Sequence, residues 1–489
     1  MTVDDVRPLD ESAQAGVDPA QLAVCLDVIE ALSALPSDHP DVVRVQRATA
    51  KLYKSVKRQR RAERRDAVLS ADRAVTAATA TGAPGRIDDE TKGIPLVSST
   101  AGATAGILRQ PRACYICKER YREVDAFYHQ LCPPCAKLNH ERRDARTDLT
   151  GRRALLTGGR AKIGMYIALR LLRDGAHTTI TTRFPQDAAR RFAAMDDSDQ
   201  WLHRLRIVGV DLRDPAQVIA VADSVAAQGP LDILINNAAQ TVRRSSGAYA
   251  QLVAAESAPL PDGPLPEIVS FASVGGRGAA ATAIAGPSQP SAITPQALTA
   301  LALTSGSATP DRIALATAID AGGLVPDLDP VNSWVQRVHE VDAVELLEVQ
   351  LCNSVAPFIL ISRLRPAMAA AAARRKYVVN VSAMEGVFSR GYKGPGHPHT
   401  NMAKAALNML TRTSAREMLT DGILMTAVDT GWITDERPHP TKMRLADEGF
   451  HAPLDLVDGA ARVYDPIVRG EQGEDLFGCF LKDYAPAAW

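Results

Sequence analysis

This 489-residue sequence carries no excess of charge: 56 lysines and arginines are matched by 56 aspartates and glutamates. That balance removes the whole-molecule argument for nucleic-acid binding. No uninterrupted apolar run reads as long enough to span a bilayer. The opening Met1-Thr2-Val3-Asp4-Asp5 is acidic and lacks the basic-then-apolar order of a signal peptide. These absences set the expectation of a cytoplasmic protein with no membrane partner. Cysteine is sparse, with seven in the chain, yet four of them crowd between Cys114 and Cys135. In a reducing compartment such crowding favours metal over disulfides. Hydrophobic (46%) and charged (23%) contents are ordinary, and the length calls for more than one folded unit.

Residues 1–75 read as a helical, partly basic region. Asp18-Pro19 has the form of an N-cap followed by a first-turn proline. Leu22, Cys25, Leu26, Ile29 and Leu32 then recur at helical spacing. A second helix is expected from about Asp41 to Val75. Its middle, Lys54 to Arg65, is strongly basic. A solvated helix face is the expected role of such a run, with nucleic acid or an acidic partner as the alternative. Residues 76–110 are rich in Ala, Thr and Gly and read as linker.

In residues 111–146, Cys114-x-x-Cys117 is followed after fourteen residues by Cys132-x-x-Cys135. Each pair can turn two thiolates onto one ion, and two pairs complete a tetrahedral four-cysteine zinc site. His129 and His140 are spare ligands. With no open coordination position the zinc is expected to be structural, stapling a module too small to bury its own core. Two pairs at this spacing fit metal better than a redox role.

The chain from Leu149 alternates strand and helix. Ala154-Leu155-Leu156 is a short apolar run followed by Thr157-Gly158-Gly159-Arg160-Ala161-Lys162-Ile163-Gly164. Helical periodicity follows through Ile167, Leu169, Leu171 and Leu172 until Gly175, and Thr178 to Thr182 reads as the next strand. Strand, glycine turn, helix, strand is the unit that binds a dinucleotide. Unpaired N–H groups at the helix start carry partial positive charge that suits a pyrophosphate. Further strands are expected at Ile207–Val210, Leu231–Ile235, Tyr377–Val381 and Ile423–Val428. Helices are expected at Pro215–Ala227, Val344–Met368 and Asn401–Leu419. Such alternation predicts an α/β doubly wound parallel sheet of Rossmann type over 149–489. Residues 240–340 interrupt it with a low-complexity insertion expected to fold partly on its own: a strand at Ile268–Ala272, short helices at Ala297–Leu303 and Arg312–Ile319.

Several separated motifs now line up: Thr157 to Gly164, Asp211-Leu212, Asn236-Asn237-Ala238-Ala239, Asn353, Ser382, and Lys404 in Ala403-Lys404-Ala405-Ala406-Leu407. With them the chain from Leu149 resembles the short-chain dehydrogenase/reductase family. Asp429-Thr430-Gly431-Trp432 resembles the family's Pro-Gly segment after the sixth strand. The resemblance implies a nicotinamide cofactor. It places Thr157, Gly158, Arg160, Lys162, Ile163 and Gly164 at the cofactor, Asp211 and Leu212 near the adenine, and Asn237 and Ala238 in the cleft. It makes Lys404 a ligand of the nicotinamide ribose that also lowers the pKa of a tyrosine one helical turn earlier. Ser382 would orient a substrate carbonyl and Asn353 would hold a relay water. It implies a homo-oligomer paired through the helices at Val344–Met368 and Asn401–Leu419.

Two positions depart from the family. The tyrosine position is Thr400, whose aliphatic hydroxyl titrates far above the roughly 10 of a phenol. His397 and His399 are nearby candidates for the missing proton donor, and Tyr392 is close in sequence. Lys162 replaces the middle glycine, where its side chain either crowds the phosphate or turns outward and adds charge to it; we expect the second. The strand ending Thr181-Thr182-Arg183-Phe184 has no acid for a ribose 2′-hydroxyl. Arg183 and Arg160 suit a 2′-phosphate, so NADP is expected ahead of NAD. The expected function is an NADP-dependent oxidoreductase acting on a carbonyl/alcohol pair. The alternative is a catalytically impaired cofactor-binding protein that uses the zinc module or basic helix to hold a protein partner.

Overall fold

The computed structural model describes residues 16–84, 86, 100–244, 246–271, 323–324, 327, 329–434 and 436–489. The helices expected at Ala297–Leu303 and Arg312–Ile319 lie outside the described residues. The chain divides into two compact units, Met1–Arg73 and Ala74–Trp489. In the first, α1 (Pro19–Leu32) is capped by Asp18, whose carboxylate accepts the Ala20 N–H at 3.2 Å. Its apolar stripe is exposed, Leu22 by 47% and Leu26 by 57%. Helix α2 (Pro40–Ala77) carries the basic stretch on an exposed surface, and its last turn belongs to the second unit.

The second unit opens with an antiparallel hairpin, β1 (Thr104–Ala113) and β2 (Arg120–Asp125), followed by α3 (Pro133–Asp144). Strand β1 begins inside the segment read as linker, and Thr79, Thr81 and Arg86 are likewise buried. Thr81 Oγ1 donates to the Phe127 carbonyl at 2.9 Å, and Arg86 donates to the carbonyls of Ala452 (2.7 Å) and Leu454 (2.6 Å). Small residues here permit close approach rather than freedom. A Cβ on Gly82 would stand 2.4 Å from the Thr76 carbonyl oxygen.

One nine-stranded sheet follows: β3 (Arg153–Leu156), β4 (His177–Thr182), β5 (Leu205–Gly209), β6 (Ile233–Asn236), β7 (Glu267–Ser270), β8 (Lys376–Ser382), β9 (Ile423–Asp429), β10 (Phe480–Lys482) and β11 (Ala485–Ala487). Its order is β11-β10-β9-β8-β6-β3-β4-β5-β7, and every pairing is parallel except β10 with β11. All seven residues of β8 and all seven of β9 are buried, as expected of strands covered on both faces. Among the described residues the helices are α4 (Lys162–Arg173), α5 (Pro185–Ala193), α6 (Pro215–Ala227), α7 (Ala250–Ser257), α8 (Ala343–Gln350), α9 (Ala356–Ala369), α10 (Pro398–Met418), α11 (His439–Asp447) and α12 (Leu456–Glu471). Residues of α4, α5 and α12 share one apolar core with the sheet, and residues of α6, α9 and α10 share the other.

Four expectations change. The described part of the insertion joins the sheet rather than folding alone: β7 pairs with β5, and α7 packs on α5. The helix expected at Val344–Met368 is interrupted by a π-helical turn, Leu351–Val355, which carries Asn353. The helix expected from Asn401 starts at Pro398, so Thr400 falls in its first turn. Reading by uninterrupted runs also missed the 27-residue Ala343–Ala369, whose most apolar 18 residues reach a mean hydropathy of 1.5, enough by length and composition to cross a membrane. Its buried residues, among them Leu360, Leu364 and Met368, pack into the core beside α6.

The cysteine module is fused to the sheet domain through charge. Arg143 on α3 is fully buried and donates to Asp455 (2.8 Å) and Asp458 (3.0 Å) at the start of α12. Tyr128 donates to the same Asp458 at 2.6 Å. Arg462 reaches back from α12 to Asn139 on α3 at 2.8 Å. Replacing Arg143 with alanine strands two buried carboxylates. Chemical denaturation should show a loss of about 3–5 kcal/mol. A loss below about 1 kcal/mol, the level of an exposed pair, would contradict a buried clamp.

Candidate functional site

The four sulfurs of Cys114, Cys117, Cys132 and Cys135 lie within 4.8 Å of one another. Sulfurs bound tetrahedrally at the usual Zn–S distance of about 2.3 Å stand about 3.8 Å apart. Cys117 and Cys132 are already 3.5 Å apart, and the backbone N–H groups of Ile116 and Cys132 point at Cys114 Sγ, each at 3.4 Å. Lys118, at φ 65°, turns the chain just after the first pair. The two histidines considered as spare ligands are engaged elsewhere. His140 Nε2 pairs with Asp125 at 3.0 Å, and His129 Nδ1 bonds the Thr81 hydroxyl at 2.8 Å. Burial holds the His129 imidazole down to about 3, hence neutral.

The second candidate region lies at the carboxyl ends of β3, β4, β5 and β6, where strand order reverses. A cleft of about 400 Å³ is lined there by Gly158, Arg160, Lys162, Ile163, Gly164, Arg183, Asp211, Leu212 and Ala238, among others. Close packing builds its floor. Gly158 has φ +70°, and a Cβ there would come within 3.0 Å of Ala238. A Cβ on Gly164 would meet the Gly158 carbonyl oxygen at 1.9 Å. Asn237 holds this turn, donating from Nδ2 to the carbonyls of Thr157 (3.0 Å) and Gly158 (3.1 Å). The Thr157 hydroxyl accepts the N–H groups of Asn237 and Ala238, both at 3.0 Å. Lys162 occupies the left-handed region at φ 53°, the backbone geometry that glycine supplies without strain.

The two arginines proposed for a 2′-phosphate differ in their engagement. Arg160 pairs with Asp187 at 2.5 Å and lies over the Phe184 ring. Arg183 stands 4.9 Å above the Tyr249 ring and donates to its hydroxyl at 3.2 Å. Asp211 is held by Arg213 at 2.6 Å, and its carboxyl lies below the usual range: burial opposes this, and the Arg213 bonds and charge outweigh burial. Arg213 and Tyr249 line the cleft and were not singled out from sequence. Tyr249 falls in the insertion, where no motif marks it.

Asn353, Ser382, Thr400 and Lys404 are all buried, and two backbone segments bring them together. Asn353 brackets Gln240, accepting its N–H at 2.7 Å and donating to its carbonyl at 2.9 Å. The Thr400 hydroxyl donates to the neighbouring Thr241 carbonyl at 3.5 Å. Lys404, one turn after Thr400 on α10, donates from Nζ to the Val381 carbonyl at 2.8 Å, next to Ser382. Burial pulls the Lys404 ammonium down to about 8, with Cys352, Glu385 and Asp429 opposing the fall. Ser382 donates to Asn408 Oδ1 at 2.5 Å, a partner one further turn along α10 that sequence reading passed over.

Neither histidine hydrogen-bonds the Thr400 hydroxyl among the described residues. His397 stacks on Trp334 with ring centroids 3.9 Å apart, and its Nδ1 bonds the Trp334 carbonyl. His399 is buried beside Glu345, with 4.0 Å between Nε2 and the carboxylate, and burial lowers its pKa. Tyr392 is 75% exposed.

Residues 152–255 match the family model described as short chain dehydrogenase. An uncharacterized protein of Acanthamoeba polyphaga mimivirus is 29% identical over 368 residues, covering 73% of this chain and 71% of that protein. A probable oxidoreductase of Streptomyces lividans is 41% identical over 91 residues, covering 19% of this chain and 29% of that protein. The match thus spans less than a third of the Streptomyces relative. A solved short chain dehydrogenase from Burkholderia cenocepacia, in complex with NADP, is 19% identical with a TM-score of 0.42, over 68% of this chain and 97% of that one. The family match covers the strand–turn–helix that builds the cleft, and the remaining motifs follow in order along the same parallel sheet. Within this sheet domain, residues 152–255 are thus similar to a short chain dehydrogenase.

Proposed function

We propose that the protein is an NADP-dependent oxidoreductase acting on a small carbonyl/alcohol pair, with a zinc ion held structurally by Cys114, Cys117, Cys132 and Cys135. The cradle at Gly158 and Gly164, which a single Cβ would fill, carries the cofactor reading. The start of α4 and the Lys162 cation suit the pyrophosphate. Arg183, held over Tyr249, suits the 2′-phosphate; Arg160 contributes only by sharing itself with Asp187. When bound, the nicotinamide supplies or accepts the hydride. Lys404 offers a buried cation at the nicotinamide ribose, Ser382 an orienting hydroxyl, and Asn353 fixes the Gln240 backbone at the site's edge.

Titration should show NADPH binding more tightly than NADH, and Arg183→Ala should weaken NADPH by about 10- to 100-fold. Tighter binding of NADH would overturn the NADP assignment.

The Thr400 hydroxyl, turned to the Thr241 carbonyl, favours the second reading, a cofactor-binding protein with impaired chemistry. The proton donor replacing tyrosine would contribute on the order of 10²–10⁴-fold. NADPH oxidation across a carbonyl panel separates the readings. An oxidoreductase turns over as wild type and loses activity in Lys404→Ala. No wild-type turnover with a gain in Thr400→Tyr identifies the binder.

Metal analysis of the purified chain should find one zinc per molecule, lost in Cys117→Ser. Chelation should lower the melting temperature, because the module's apolar cluster continues into the sheet domain. Full metal content in Cys117→Ser would contradict the four-cysteine site.

A further inference from the structure

The segment after β9 is gripped by the cysteine module at both ends. At its far end Arg86 takes the Ala452 and Leu454 carbonyls, and Gln130 Nε2 donates to the His451 carbonyl at 3.2 Å. At its near end the contact comes from inside the first Cys-x-x-Cys: the Tyr115 hydroxyl accepts the Trp432 N–H at 2.9 Å. Tyr115 is itself fixed, its N–H donating to the Gln130 carbonyl at 2.8 Å and its ring lying 5.7 Å beneath Lys482 Nζ. The residues that follow Trp432 reach the cleft. Ile433 shares one apolar cluster with Cys114, Cys132 and Ile163 of the phosphate turn, and Thr434 and Glu436 line the cleft wall.

A dinucleotide in such a fold lies across the point of strand reversal, its adenosine on the side of the strand after the first crossover. Here that side is β4 and β5, with Arg183 and Asp211. Thr434 and Glu436 follow β9, which lies with β8 and β6 on the opposite side of the reversal, so their wall belongs to the other half. We infer that Tyr115 is a positioning residue for the nicotinamide half of the cleft, setting the Trp432 peptide and with it the wall that follows. This rests on the cofactor reading above. The cysteine module then belongs to the site as well as to the fold.

Tyr115→Phe removes the hydroxyl and leaves the ring and all four cysteines in place. In the full-length, metal-loaded protein, NADPH affinity should fall about five- to tenfold, the scale of one hydrogen bond. Binding of 2′,5′-ADP, the adenosine half alone, should change less than twofold, and metal content should not change. Amide exchange at Trp432 should accelerate. Unchanged NADPH affinity, or equal losses for NADPH and 2′,5′-ADP, would overturn the inference. Should wild type bind neither probe, the cofactor reading falls by itself. Exchange at Trp432 then decides on Tyr115: acceleration in the variant supports its hold on the segment, and no change overturns it.

Discussion

The buried guanidinium of Arg143, with the apolar cluster beside it, makes one folded body out of two sequence regions with no shared pattern. It has no access to water, and its partners Asp455 and Asp458 have none either. Charges in such a place hold only if every one of them is answered, because desolvation outweighs attraction once a partner is missing. Tyr128 and the capping arrangement at the start of α12 add hydrogen bonds to the two carboxylates. The position of α12 against the sheet and the position of the cysteine module are thus one geometric fact. The segment between β9 and α12, caught between them, inherits its path from both.

The cleft at the strand reversal depends on absence of bulk rather than on charge. Gly158 and Gly164 let strand, turn and helix approach until their backbones nearly touch, and Asn237 from the neighbouring strand end ties the turn closed. Lys162 shows the limit of this economy, since it accepts a left-handed backbone and brings a cation in exchange. Around Lys404 the logic is electrostatic. A buried amine satisfied by one carbonyl is held closer to neutrality than a surface lysine. Thr400 on the same helix turns its hydroxyl toward the Thr241 carbonyl.

Much of this was legible in the sequence. The glycine turn, the apolar strands β3, β6, β8 and β9, and the paired Cys-x-x-Cys each rest on local spacing that one physical demand explains. Less legible were features that depend on distant partners. The Ala- and Gly-rich stretch before β1 resembles linker because small residues signal both freedom and close packing; only the Phe127, Ala452 and Leu454 carbonyls distinguish the two. Strand β7 overlaps the strand expected at Ile268–Ala272, but its place in the sheet, beside β5, depends on distant residues. Tyr249 and Asn408 carry no motif, and their roles come from which side chains the sheet brings beside them. Conversely, α1 has the spacing of a core-facing helix and buries none of its residues.

The π-helical turn at Leu351–Val355 has a consequence for chain length. Such a turn is an α-helix widened by one residue, and everything beyond it is rotated by about 100° relative to an unbroken ladder. That rotation points Asn353 at Gln240 while keeping Leu360, Leu364 and Met368 in the core. Deleting any one residue of the turn would heal the ladder but swing this apolar stripe toward solvent and withdraw the asparagine. This helix is therefore constrained in residue count as strictly as in residue type.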